Sequence, residues 1–229
     1  AISASTNLLF PGQYLALSSD RHWVLSTYYT PAPDQVRELS SLPSLPDDQG
    51  RIVLLTRAGV PVDELAYDHR WHFALLQSEE GVALERINPQ GKTQLAGNWT
   101  SAASTAGFGT PATMNSQAYA GGPDPSSIRI EPAVFSPDGD GWNDFAWIHY
   151  RFDEPGYTGN ITLFDLSGRP VRHLLQNGTL SRQGSLRWDG LDDRQQALPS
   201  GPYIMLAELF NLTGQTRRFK FSITLARKF

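Results

Sequence analysis

Phe219-Lys220-Phe221-Ser222-Ile223-Thr224-Leu225 places an apolar side chain at every second position. That period puts one face of an extended chain against a core and the other toward water, as in a half-buried β-strand. Ile128-Arg129-Ile130-Glu131 repeats the pattern. Strand-like segments are predicted at 13–18, 51–56, 60–67 and 81–87 in the first half. In the second half they fall at 128–135, 145–152, 161–165, 171–175, 185–188, 203–210 and 217–225. Turn pairs separate several of them, namely Ser167-Gly168, Asn177-Gly178 and Asp189-Gly190. No segment holds a 3.6-residue period, apart from a possible helical turn over 33–39. The reading is all-β.

Composition agrees with this. Of 229 residues, 20 are Gly and 16 Pro, spread along the chain as many short strands and turns require. Hydrophobic residues reach 40%, enough for packed cores, and net charge is −4. A duplex-binding surface needs clustered Lys and Arg. The basic cluster seen is Arg217, Arg218, Lys220, Arg227 and Lys228, which interleaves with apolar residues as the solvent face of a strand does. No nucleic-acid partner is therefore expected. With no cysteine, disulfides, thiolate metal sites and cysteine nucleophiles are excluded. No apolar run of about 18 residues could span a bilayer. The chain opens at Ala1-Ile2-Ser3 without Met, and is expected to be part of a longer protein with further sequence upstream.

The stretch QAYAGGPDPSS at 117–127 has linker chemistry. It divides the chain into a first domain at 1–117, a linker at 118–127 and a second domain at 128–229, each of ordinary size.

The strongest chemical motif is Phe135-Ser136-Pro137-Asp138-Gly139-Asp140-Gly141-Trp142-Asn143-Asp144. Calcium takes about six to eight hard oxygen ligands in a flexible arrangement. Set against an EF-hand loop, Ser136 falls at position one, Asp138 at three and Asp140 at five. Gly141 takes the sharp turn, Trp142 offers its carbonyl at seven, and Asp144 lies at nine. Position twelve is Trp147, so the bidentate acid of that loop is missing and completing ligands must come from elsewhere. Two readings stand at this point. Asp138, Asp140, Trp142 and Asp144 hold Ca2+, or Asp and Gly build a tight turn that Asp144 caps.

The same run resembles the FxPNGDGxND signature that opens C-terminal Ig-like domains of gliding-motility-associated secreted proteins. Downstream, Trp188-Asp189-Gly190 and Leu198-Pro199-Ser200-Gly201-Pro202-Tyr203 resemble the WDG and PSGxY pattern. That pattern is shared by flagellar-hook-capping-type Ig-like domains and by sorting domains of the type IX secretion system. Pro202 departs from the apolar β-branched residue usual there. The resemblance spans 128–229 and implies a seven-stranded Ig-like sandwich. It further implies export from a Bacteroidota-like bacterium, with the type IX outer-membrane machinery as partner.

In the first half, Phe10-Pro11-Gly12-Gln13-Tyr14, Ser41-Leu42-Pro43-Ser44-Leu45, Trp71-His72-Phe73, 81–86, Asn98-Trp99 and 101–115 follow an order similar to the bacterial lamin-tail domain. The family's opening strands have no counterpart after Ala1. The resemblance therefore implies an Ig-like sandwich short of strands; either the rest of the protein supplies them, or a partner covers the exposed edge, or the unit is only marginally stable alone.

Other chemistry is thin. Asp68, His69 and His72 are close in sequence, but i and i+3 do not share a face outside a helix. Glu79, Glu80 and Glu85 are candidate acids, with Glu85-Arg86 expected as a structural ion pair. No GxSxG elbow and no Gly-rich phosphate loop occur. The sequons at Asn98, Asn160, Asn177 and Asn211 are read as coincidence or turn residues. No catalytic residue is assigned and the chain is expected not to be an enzyme.

The expectation is thus two antiparallel Ig-like β-sandwich domains joined by a short Gly/Pro linker, from a secreted or surface-attached protein. The alternative is a pair of accessory modules for a secreted hydrolase whose catalytic domain lies upstream. Those modules would bind a surface or wall ligand through exposed aromatics, with Trp23, Trp71, Trp142 and Trp147 as candidates.

Overall fold

The computed structural model describes residues 9–119 and 126–227. It divides into two compact units, Ala1–Gly121 and Gly122–Phe229. Residues 120–125 of the expected linker, the start at Ala1 and Lys228 of the basic cluster lie outside the described residues. Tyr119 donates its N–H to the Ile87 carbonyl at 2.8 Å. Ser126 donates its hydroxyl to Asp153 at 2.8 Å.

The first unit is built from short ladders. β1 (Ala16–Ser18) pairs in parallel with β2 (Val36–Glu38). β3 (Gln49–Leu55) pairs antiparallel with β4 (Pro61–Asp68), and β5 (Leu84–Arg86) pairs antiparallel with β6 (Trp99–Ser101). The possible helical turn over 33–39 is present but shorter. Pro33–Gln35 is one 3-10 turn, and Val36 then enters β2. The helix is instead α1 (Arg21–Thr27), started by Asp20, whose carboxylate accepts the Trp23 N–H at 2.8 Å. On β3 the apolar run Ile52-Val53-Leu54-Leu55 is exposed on both faces, as are Val60 and Val62 opposite. Polar anchors hold the unit together. Asn98, buried, accepts the Asn88 N–H at 2.8 Å and donates to the Asn88 carbonyl at 2.9 Å.

The second unit is a two-layer antiparallel sandwich. Its strands are β7 (Ser127–Glu131), β8 (Val134–Phe135), β9 (Ala146–Arg151), β10 (Thr158–Phe164), β11 (Pro170–Thr179), β12 (Gln183–Trp188), β13 (Gly201–Phe210) and β14 (Thr216–Leu225). One sheet has the order β11-β10-β13-β14-β8 and the other β12-β9-β7. All pairs are antiparallel except β14 with β8. The predicted single strand at 128–135 is two strands in different sheets. Pro132 has no N–H to give a ladder, and the chain crosses there from one layer to the other. Asn177-Gly178 is corrected too. It lies inside β11, with Asn177 at φ 46°, its N–H on Asn160 Oδ1 at 2.8 Å, and Gly178 opposite Gly159. The irregular ladder beside it absorbs the left-handed residue as a bulge, not a hairpin turn.

Alternation delivers the core. Ile148, Ile161, Leu163, Met205, Leu209, Ile223 and Trp188 are fully buried between the layers. Trp188 sits 5.1 Å from both Phe135 and Tyr203, ring centre to ring centre, and its indole N–H donates to the Leu191 carbonyl. Burying the indole with its polar atom bonded is what permits a Trp at this depth.

Candidate metal centre

The loop from Ser136 to Asp144 joins β8 to β9. Gly139 and Gly141 take positive φ, at 77° and 85°, and Asn143 stands at φ 54°. These left-handed residues coil the loop so that side chains two apart turn inward. The Ser136 N–H donates to the Asn143 carbonyl at 2.9 Å and closes the loop. Asp144 braces it from within. Its Oδ1 accepts the Gly139 N–H at 2.7 Å and its Oδ2 the Gly141 N–H at 2.9 Å. Asp140 Oδ1 accepts the Trp142 N–H at 2.8 Å, and Asp138 accepts the Asp140 N–H at 3.3 Å.

Asp138, Asp140 and Asp144 each bring a carboxylate oxygen within 4.8 Å of the others, the one such grouping among the described residues. Trp142 lies in the loop and is 76% exposed. Two oxygens on one calcium ion, each at about 2.3–2.6 Å, stand at most about 5 Å apart. The spacing and the all-oxygen donor set therefore fit that ion. A carboxylate oxygen has two lone pairs, so the N–H bonds to Asp144 leave each of its oxygens an acceptor site. Without a cation, three negative groups at this spacing repel.

The other candidates do not converge. His69 Nδ1 lies 3.3 Å from Glu79, His72 Nδ1 lies 2.7 Å from the Ser101 hydroxyl, and Asp68 pairs with Arg70. Glu85 and Arg86 are not partners, which corrects the expected ion pair. Adjacent strand residues face opposite sides. Buried Glu85 accepts from Thr110, Ser116 and the Gln117 N–H, while Arg86 reaches Asp63 at 3.4 Å and the Gly91 carbonyl at 2.6 Å. The sequon residues have structural roles: Asn98 as above, and Asn211, buried, accepting the N–H groups of Thr213 and Gln215.

Sequence reading missed a second group. Arg129, His149, Arg151 and Arg187 stand on one face of the β12-β9-β7 sheet. The available signal was the polar half of the alternation in those three strands.

No family model matches the chain, and no curated protein matches it. Among solved structures, CopC from Methylosinus trichosporium OB3b is 16% identical with a TM-score of 0.30, over 45% of this chain and 96% of that one. PorZ is described as an essential bacterial surface component of the type-IX secretion system of human oral-microbiomic Porphyromonas gingivalis. It is 14% identical with a TM-score of 0.27, over 44% of this chain and 12% of that one. A bacterial immunoglobulin-like domain from the M. primoryensis ice-binding adhesin is 12% identical with a TM-score of 0.24, over 45% of this chain and 96% of that one. The chain's own sheets define its class: a nearly all-β protein whose second unit is a two-layer sandwich of Ig-like type, with an acid-lined loop between β8 and β9. No helix among the described residues is long and apolar enough to cross a membrane.

Proposed function

We propose that the chain is a non-catalytic module of a secreted or cell-surface protein, and that Ca2+ held by Asp138, Asp140 and Asp144 stabilises its second unit. The observation that carries the metal is the approach of three carboxylates to within 4.8 Å in a loop braced by its own backbone N–H groups. Further oxygen donors are expected from the Trp142 carbonyl, by its place in the motif, and from the Ser136 hydroxyl, which lies 3.4 Å from Asp138 Oδ2. The ion's contribution is structural, through neutralising the loop and fixing the start of β9.

The export role, with the type IX outer-membrane machinery as partner, is supported by the resemblance of 188–190 and 198–203 to sorting domains and of 135–144 to gliding-motility-associated C-terminal domains. The reading as an accessory module beside an upstream catalytic domain gains one observation of its own, the basic sheet face of the second unit.

A ligand that binds only the folded state stabilises it by RT ln(1 + [L]/Kd), about 2.7 kcal/mol at one hundred times Kd. For a unit of this size that raises the melting temperature by about 10–20 °C. Melting of the second unit is therefore expected to fall by that much when calcium is replaced by EGTA, and Asp140→Ala is expected to abolish the difference. Identical melting in calcium and EGTA would show that the loop holds no stabilising calcium.

A further inference from the structure

The outward residues of β7, β9 and β12 form a grid of three rows. Register places Ser127, Arg151 and Gln183 in one row and Arg129, His149 and Ser185 in the next. Glu131, Trp147 and Arg187 make the third. The first two rows line a trough of about 610 Å³. Three arginines and a histidine face one glutamate, on a chain whose net charge is −4.

We propose that this face docks an acidic polysaccharide, with Arg129 and Arg151 on its carboxylate or sulfate groups and Trp147 under a sugar ring. The inference deepens the reading of the chain as a binding module and stands apart from the calcium loop.

The side chains are already arranged. Arg151 donates to Gln183 Oε1 at 3.1 Å, and the Ser185 hydroxyl fixes the His149 ring at 2.7 Å from Nδ1. Arg187 lies 4.7 Å over the ring of Phe145, which in turn meets Trp147 edge-on at 6.2 Å. Trp147 is 40% exposed. Arg129 faces Glu131 only at 3.9 Å, a loose pair that an incoming anion can displace. Guanidinium forks match planar acidic groups in two-point contact. Between them, the hydroxyls of Ser127 and Ser185 and the amide of Gln183 both donate and accept, as sugar hydroxyls require. Neighbouring positions are about 4.8 Å apart across strands and about 7 Å along one. A flat polymer with charges and hydroxyls on alternate groups covers such a grid.

Other polyanions fit less well. A single-stranded nucleic acid asks for a series of exposed aromatic rings beside its basic groove, and this face offers Trp147. An acidic peptide in extended form adds to a sheet's edge, where its backbone finds partners, not to its face.

The test is calorimetric titration of the whole chain with chondroitin sulfate, in calcium and again in EGTA. Neutral dextran, polyglutamate and a single-stranded oligonucleotide are the other arms. Chondroitin sulfate is expected to bind, to weaken with added salt, and to lose at least tenfold in affinity in Arg129→Gln/Arg151→Gln. Arg218→Gln/Lys220→Gln, on β14 of the other sheet, is expected to stay within twofold. The exposed arginines are not fold determinants, and an unchanged melting temperature of the double variant confirms that. Absence of chondroitin sulfate binding, indifference to the Arg129/Arg151 change, or equal affinity for polyglutamate or the oligonucleotide would overturn the proposal. The melting comparison in calcium and EGTA reads the metal site and these titrations read the face, so failure of one is distinguishable from failure of the other.

Discussion

Arg217 Nη2 lies 2.6 Å from Asp153 Oδ2, and the same guanidinium sits 5.2 Å from the centre of the Tyr157 ring. Arg217 belongs to β14 of the larger sheet, while Asp153 follows β9 of the smaller one. The pair therefore bridges the two layers at one end of the sandwich.

Burial pushes the Asp153 carboxyl up, but hydrogen bonds from Arg217 and Ser126 outweigh it and hold the group below the usual carboxylate range. Both partners keep substantial solvent contact, at 27% and 40% side-chain exposure. The ion pair is thus worth no more than about 1 kcal/mol, and the contact with Tyr157 adds about as much. Arg217→Ala is expected to cost about 1–2 kcal/mol in urea unfolding. Arg217→Lys is expected to recover less than half, because a point charge cannot replace the planar fork. A depressed carboxyl stabilises the fold above its unfolded value and ceases to as pH falls, so the penalty should shrink below about pH 4.

Gly159 of β10 is packed against backbone. A Cβ built there meets the Glu208 carbonyl oxygen and the Leu209 Cα of the neighbouring β13 at less than ordinary contact distance. Main chain in a central ladder cannot step aside as a flexible side chain can. Gly159→Ala is expected to destabilise the second unit by about 3 kcal/mol, the upper range for overpacking. Gly168→Ala, where a Cβ meets open space, carries only the strain of its φ of +80° and is expected to cost less than half as much. Parallel urea melts of the two variants give the comparison.

His72 of the first unit is held against Ser101, and burial pushes its imidazole below the ordinary histidine value. The folded state therefore prefers the neutral ring. Stability from this group is present above the unfolded value near pH 6.5 and declines as pH falls below it. Melting of the first unit is expected to drop between pH 7.5 and pH 5.5, and His72→Gln to flatten that dependence. A slope unchanged by the substitution would assign the pH effect to other groups.

The second unit was legible in sequence because its period was. Phe219, Phe221, Ile223 and Leu225 share a parity, and the structure turns that side of β14 inward. Arg217 has the same parity, so what read as one of several solvent-facing cations is the interlayer bridge. Periodicity assigns a face but not a partner 64 residues away. Pro132 broke a predicted strand because pattern reading counts side chains, while a ladder counts N–H groups. Asn177-Gly178 has turn chemistry, yet the neighbouring Asn160 supplies a bond that keeps the pair inside β11. The three acids of the loop were found from spacing alone. The brace on Asp144 was not, since it comes from the N–H groups of Gly139 and Gly141. In the first unit, α1 has seven residues and one cap, too short for a 3.6-residue period to emerge.

The crossing at Pro132 has a mechanical consequence. β8 lies parallel to β14, with Thr224 donating to the Ala133 carbonyl at 2.8 Å and Ala226 to the Phe135 carbonyl at 2.9 Å. Force applied at opposite ends of two parallel strands slides them along their length. It loads those bonds together, where an antiparallel hairpin pulled open at its free end yields one bond at a time. Tension along the polypeptide thus meets a shear lock joining the second strand of the sandwich to its last.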